Sequence, residues 1–226
     1  AVAFPVGIGL ALVLGVLLNY SAAQKGDPML LFGGVAMIAI AIVLNAAAYK
    51  KAGGSDNKIS SKGLGLSLVA GLLMAFFYRF IAASMDMENF QHPAVGKMTP
   101  YTAVFIFSAG IFISNFVFNS ILIKRPFSGP PTSYKEYFAG SFRTHLTGIS
   151  GGLIWGLGNS FNLIAAGKAG PAISYGLGQG ATLIAALWGV FVWKEFRNAP
   201  KKTNTFIGAM FFFFVAGLAM LIYAGS

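Results

Sequence analysis

The 226-residue chain is 56% hydrophobic and 10% charged, where a soluble domain carries about 25% charged residues, and a water-soluble fold of this length could not hide so much apolar surface. A net charge of +10 would suggest nucleic acid in a soluble protein, but here the cations sit in short loops between apolar runs. That is an orientation signal in lipid, and it excludes nucleic acid as a partner. Without cysteine there is neither a disulfide framework nor a thiolate metal site. The two histidines, His92 and His145, fall in polar connecting segments, so no metal or other cofactor is expected.

A membrane-spanning helix needs about 20 mostly apolar residues. Seven stretches qualify in chain order: A (1–20), B (29–49), C (64–84), D (101–123), E (146–166), F (172–193) and G (205–224). Pro28, Pro100 and Pro171 mark starts, where a missing N–H costs least. Open sheet edges cannot survive in hydrocarbon, so the fold class is an all-α membrane protein. The chain begins at Ala1 inside an apolar run, with no charged stretch ahead of it to suggest a signal peptide.

Connecting loops set the orientation. Lys50, Lys51, Lys58 and Lys62 lie between B and C. Lys124, Arg125, Lys135 and Arg143 lie between D and E, and Lys194, Arg197, Lys201 and Lys202 between F and G. These twelve of sixteen cations share one side if the helices alternate, whereas the opposite loops hold only Lys25, Lys97 and Lys168. The basic side is therefore the cytoplasmic one, A runs outward, and Ser226 lies outside.

Stretches A and F match weakly: Ala1 with Ala172, Gly7 with Gly178, Gly9 with Gly180, Leu12 with Leu183, Val2 with Ile173 and Phe4 with Tyr175. Each is followed by a short loop and one more helix, and alternation points them in opposite directions. This is the pattern of an inverted repeat, common in secondary transporters. Residues 1–62 then read as the last two helices of one five-helix unit, and 63–226 as a complete second unit. The whole would be a ten-helix (5+5) protein, with three helices preceding A in an N-terminally truncated chain; the alternative is a complete seven-helix protein.

The segment GLIWGLGNSFNLIAAGKAGPAISYGLGQGATLIAALWGVFVWKEF, residues 152–196, resembles the drug/metabolite transporter superfamily. The nearest branches are the sugar porters (glucose/ribose, rhamnose) and the ureide permeases. The resemblance rests on W-G-x-G-N (Trp155, Gly156, Gly158, Asn159), a Gly-rich break (Gly167, Gly170, Pro171), G-Q (Gly178, Gln179), W-G (Trp188, Gly189) and K-E (Lys194, Glu195). Residues 4–20 similarly resemble the fourth helix of ureide permeases, while C and D are alike only by hydropathy. The resemblance implies an alternating-access carrier of sugars, ureides or related polar metabolites, with a central cavity between its halves. Plant ureide permeases carry a long central loop with a phosphate-loop-like motif. The loop 50–63 here is short and lacks it, so nucleotide binding is not implied.

Polar side chains inside a span need a partner or a function. Trp155, Asn159 and Asn162 share one face of E, where amides suit hydroxyls or ureas and the indole stacks on a flat solute. Tyr175 and Gln179 lie one turn apart on F, with Ser174 beside them, and Asn115 and Asn119 one turn apart on D. The bland alternative for each is hydrogen bonding between helices. Arg79, the one charge well inside a span, snorkels to the interface or pairs with a substrate anion or a carboxylate. Asn19 and Asn45, near helix ends, read as solvated at the interface. All six acids (Asp27, Asp56, Asp86, Glu88, Glu136, Glu195) fall in loops or at helix ends, so no intramembrane proton relay stands out, and proton or sodium coupling stays open, as does a homodimer. No nucleophile–base pair suggests an enzyme.

The expected function is a permease of a small polar metabolite in a bacterial plasma membrane, its partners being that solute and the bilayer. The alternatives are a drug or amino-acid exporter of the same superfamily and an intramembrane enzyme or scaffold.

Overall fold

The computed structural model describes residues 3–52 and 61–226. The expectations that fall on Ala1, Val2, Asp56 and Lys58 lie outside them. The described residues form helices α1 (Ala3–Ala22), α2 (Pro28–Ala52), α3 (Ser61–Ser84), α4 (Pro100–Lys124), α5 (Tyr134–Phe138), α6 (Phe142–Ala169), α7 (Pro171–Gly178), α8 (Gly180–Leu187) and α9 (Lys202–Ala224). Among them there is no strand beyond one isolated bridge, Met85 to Met98.

Among the described residues six helical segments are long and apolar enough to cross a membrane. Stretch E is helical as expected, and at 28 residues α6 is long enough to span. Its glycines and its Thr, His, Ser and Asn side chains leave it the least apolar of the seven. The chain is thus an integral, multi-pass, all-helical membrane protein.

Two compact units are distinguished, Ala1–Ala83 with Ala165–Ser226, and Ser84–Ile164. In the first, α2 and α9 pack antiparallel along their whole length. The Asp27 N–H donates to Ala224 O at 3.0 Å at one end, and the Lys51 ammonium lies 5.2 Å from the Phe206 ring centre at the other. On α9 the buried residues Thr203, Ile207, Met210, Phe214, Gly217, Leu221 and Ala224 alternate steps of four and three, which is the seam of a left-handed helix pair. Lipid is as apolar as leucine, so close contact rather than hydrophobicity holds such a pair together. Gly34 and Gly217 supply that contact: a Cβ at either would lie 2.8 or 2.7 Å from the other's carbonyl oxygen.

Helix α1 packs antiparallel to α7. Lys25 Nζ donates to Gly167 O at 2.9 Å, Gly26 faces Ile173, and Gly15 faces the Tyr175 ring. Gly7 backs onto Ser67 and Gly71 of α3. Within this unit α1, α3 and α9 run one way and α2, α7 and α8 the other, as alternation requires.

The expectation for Asn19 is corrected. It is fully buried rather than solvated at the interface, because its amide folds back one turn to donate to Gly15 O at 2.7 Å. His145 likewise belongs to the first turn of α6 and not to a loop, its ring 5.1 Å from that of Tyr137.

In the second unit the connector between α3 and α4 is organised by Asp86. Its carboxylate accepts from the N–H groups of Glu88 (3.1 Å), Asn89 (3.0 Å) and Ala94 (2.9 Å). These donors, Ala94 foremost, hold its carboxyl below the usual carboxylate range. Because the folded value is depressed, the loop's extra stability is full above the ordinary carboxylate range and is lost as pH falls through the lowered value. In hydrogen exchange corrected for intrinsic rates, the amides of Glu88, Asn89 and Ala94 are expected to deprotect under strong acid, and at neutral pH in Asp86→Asn. Equal protection in the wild type and the variant would remove this role.

Candidate functional site

The segment expected to be one helix, F, is broken. Helix α7 ends at Gly178, α8 starts at Gly180, and a π turn covers Trp188–Val192. At the break the Gln179 N–H donates to Gly176 O at 3.1 Å and the Thr182 N–H to Gln179 O at 2.9 Å, both three residues back instead of four. Gly176, Gly178 and Gly180 flank the break, where low helix propensity lets the chain tighten. At the π turn Trp193 N–H reaches back five residues to Trp188 O at 3.0 Å. Such irregular turns inside spanning helices are tolerated where protein or a cavity surrounds them, and they gather at functional sites. Gln179 sits at the break, half-buried.

Tyr175 lies one turn earlier. It is 5% exposed, and its hydroxyl is within donating distance of Ala11 O (3.0 Å) and Met74 O (3.3 Å), tying α7 to α1 and α3. Its ring lies 5.2 Å from that of Tyr78, whose hydroxyl is hydrogen-bonded to Ser174. A Cβ at Gly15 would fall on the Tyr175 ring, so that glycine makes the ring's place. Tyr175 and Ser174 therefore brace helices in this structure, which is the bland alternative weighed for both. The sequence signal for Tyr78 is slight, a lone hydroxyl in an apolar run.

The remaining candidates divide between the units. Arg79 lies with Tyr175 and Gln179 in the first unit and is half-buried, with no charged or hydrogen-bonding partner among the described residues. In the other unit, Trp155, Asn159 and Asn162 follow one face of α6 as spaced, Trp155 more than half exposed and both amides half-buried. The Trp155 ring stands 6.4 Å from Phe107 of α4. Ser160 returns a bond to Gly156 O at 2.7 Å and is thereby spent locally. Asn119 Nδ2 donates to Asn115 Oδ1 at 2.9 Å, so these two amides satisfy each other on an exposed face. A Cβ at Gly148, Gly151, Gly152, Gly156 or Gly158 would meet nothing within 4 Å, which leaves a bare strip along α6.

One pair went unnoticed in the sequence. Tyr49 donates to Glu195 Oε2 at 2.5 Å, and its ring packs 4.9 Å from Phe196. Gly189 makes room, since a Cβ there would lie 2.8 Å from the same carboxylate oxygen. The W-G and K-E motifs thus meet the end of α2. Among the described residues no group of three His, Asp or Glu could hold a metal ion.

These features define a polytopic helical membrane protein with a glycine-flanked, discontinuous span carrying an amide at its break. The ureide permease family model matches residues 55–224, and the chain belongs to that family. It is 29% identical to Ureide permease 2 of Arabidopsis thaliana over 161 residues, 71% of this chain and 40% of that protein. It is 30% identical to Ureide permease 4 of the same plant over 162 residues, with the same coverage. Similarity to the probable glucose uptake protein GlcU of Staphylococcus aureus is 24% over 208 residues, 90% of this chain and 63% of the other. The chain thus spans about 40% of the plant relatives it matches. No solved structure gives a significant match.

Proposed function

We propose that the chain forms part of a permease that moves a small polar metabolite, a ureide or a sugar, by alternating access. The observation that carries this is the break at Gln179, which puts an amide and a tightened, glycine-flanked turn into a span within the region matched by the family. Broken helices of this kind supply solute sites near the bilayer midplane in carriers. The names of the plant and staphylococcal relatives point to ureides and glucose, and both present hydroxyl or urea groups that amides pair with. In the first unit Gln179 is the proposed solute contact, with Tyr175 and Arg79 in supporting places; in the second, taken by itself, Trp155, Asn159 and Asn162 are proposed along one face of α6, with Asn115 and Asn119 on α4 in supporting places.

The inverted 5+5 repeat of the drug/metabolite transporter type, divided at 62/63, is part of this proposal. It is supported by the antiparallel pairing of α1 with α7 and of α2 with α9, the helices that the repeat makes equivalent. The bacterial plasma membrane draws support from GlcU, while plant proteins dominate the relatives.

The deciding experiment is flux into liposomes containing the protein, with labelled allantoin, glucose, ribose and nucleobases, each with and without a proton or sodium gradient. Saturable uptake of at least one ureide or sugar is expected; the gradient arms assign the coupling ion. No saturable flux of any of them would overturn the proposal. A reporter fused after Ser226 is expected to read as non-cytoplasmic, and a cytoplasmic signal would reverse the charge-based orientation.

A further inference from the structure

The connector between α4 and α6 carries an exposed aromatic surface outside the candidate solute contacts. Phe127, Tyr137, Phe138 and Phe142 are 57%, 55%, 74% and 79% exposed within sixteen consecutive residues. Their backbone is well ordered by local bonds. Ser133 caps α5, and the Glu136 side chain closes the capping box. Thr132 N–H donates to Ile123 O at 3.0 Å, and Tyr134 Oη lies 2.6 Å from Ser120 Oγ, one turn inside the end of α4. The connector therefore folds back against the last turn of α4. On α5, Tyr134, Tyr137 and Phe138 share one side by helical spacing, with Lys135 and Glu136 on the other.

Charge selects what this surface meets. From Lys124 to His145 the cations are Lys124, Arg125, Lys135 and Arg143, and the sole acid is Glu136. Glu136 is occupied by Thr132 Oγ1 at 2.5 Å, Ser133 N–H at 2.8 Å and Ser133 Oγ at 3.2 Å. Its charge is thus turned inward on its own turn, and the outward field is cationic. We propose that residues 125–143 form an interfacial anchor. The aromatic rings enter the headgroup layer, and Arg125, Lys135 and Arg143 hold the phosphates of anionic phospholipid. Aromatic rings favour that layer, and each cation near an anionic surface adds to the attraction.

The absence of cysteine makes a single-label test clean. Phe138→Cys carrying an environment-sensitive dye is reconstituted in vesicles of phosphatidylcholine and of phosphatidylcholine mixed with phosphatidylglycerol. Quenching by a headgroup-nitroxide lipid is compared with quenching by acrylamide from water. Val95→Cys, on a fully exposed tip, is the solvent reference, and Phe142→Cys repeats the test if the first variant folds poorly. The expected result is strong lipid quenching and weak acrylamide quenching at 138, the reverse at 95, and an increase with phosphatidylglycerol. Lys135→Gln with Arg143→Gln should abolish most of the increase in lipid quenching that phosphatidylglycerol produces, since each cation contributes about fivefold in affinity for an anionic surface. Acrylamide quenching equal to the reference would make the connector a solvated loop, and protection from both quenchers would mean that protein covers it. Equal lipid quenching in both vesicle types would remove the anionic-lipid assignment. Each of these three results overturns the proposal.

Discussion

Gly217→Leu is expected to destabilise the protein by about 3 kcal/mol, lowering its melting temperature in detergent by roughly 10 °C, while Gly208→Leu on the same helix leaves it unchanged or slightly raised. At Gly217 a Cβ would lie 2.7 Å from Gly34 O, 2.7 Å from Ile38 Cγ1 and 3.1 Å from Ile38 N. Two of those atoms belong to the α2 backbone, so a side chain can be admitted only by moving one helix off the other. The seam joins the helices at both ends, from Asp27 and Ala224 to Lys51 and Phe206, and a wedge in it strains contacts well away from the substitution. At Gly208 nothing lies within 4 Å, so leucine there meets no neighbour among the described residues and gains helix propensity. Thermal unfolding followed by size-exclusion fluorescence reads both. Equal melting temperatures for the two variants would show that the Gly34–Gly217 contact does not hold the pair.

The second large effect concerns Gln179. Gln179→Ala should raise the KM for uptake about tenfold or more, since losing a hydrogen bond of about 1.4 kcal/mol to a solute costs that factor, and it should leave expression and melting intact. Tyr175→Phe is expected to behave in the opposite way. It deletes the hydroxyl that reaches Ala11 O and Met74 O, costing about 1 kcal/mol of stability, with KM unchanged. Asn159→Ala, at a half-buried amide with no hydrogen-bonded partner among the described residues, should follow Gln179→Ala. Uptake kinetics and melting curves on the same preparations separate the two patterns. If Tyr175→Phe raised KM and Gln179→Ala lowered only stability, their assignments would have to be exchanged.

How far the candidate site could be read in advance depended on the kind of interaction. Helix spacing placed Trp155, Asn159 and Asn162 on one face, and α6 keeps them there because it is unbroken from 142 to 169. The same spacing placed Tyr175 one turn from Gln179, but the tight turn that interrupts the helix at Gln179 was not legible from it. Asn19 and Tyr175 were both polar groups in apolar runs. Whether such a group is spent on a helix carbonyl or left for a solute depends on neighbours far away in sequence, such as Met74, 101 positions from Tyr175. The pairing of Tyr49 with Glu195 spans 146 positions and was invisible for the same reason.

By itself the sequence determined the solvent, the secondary structure and the alternation. Lipid leaves backbone groups no partner but their own helix, so apolar length points to spans; among the described residues every apolar stretch is helical, F with a break at Gln179, and six of the seven are apolar enough to cross a membrane. What only the tertiary structure decided is which face of each helix is packed. In water the apolar side marks the buried face. In lipid both sides are apolar, and the seam on α9 is set by fit at Gly217 and Phe214, not by polarity. The burial of Asn19 and the contacts of Tyr175 with α1 and α3 are likewise matters of which faces pack. They depend on how closely two backbones approach, a quantity that local composition does not carry.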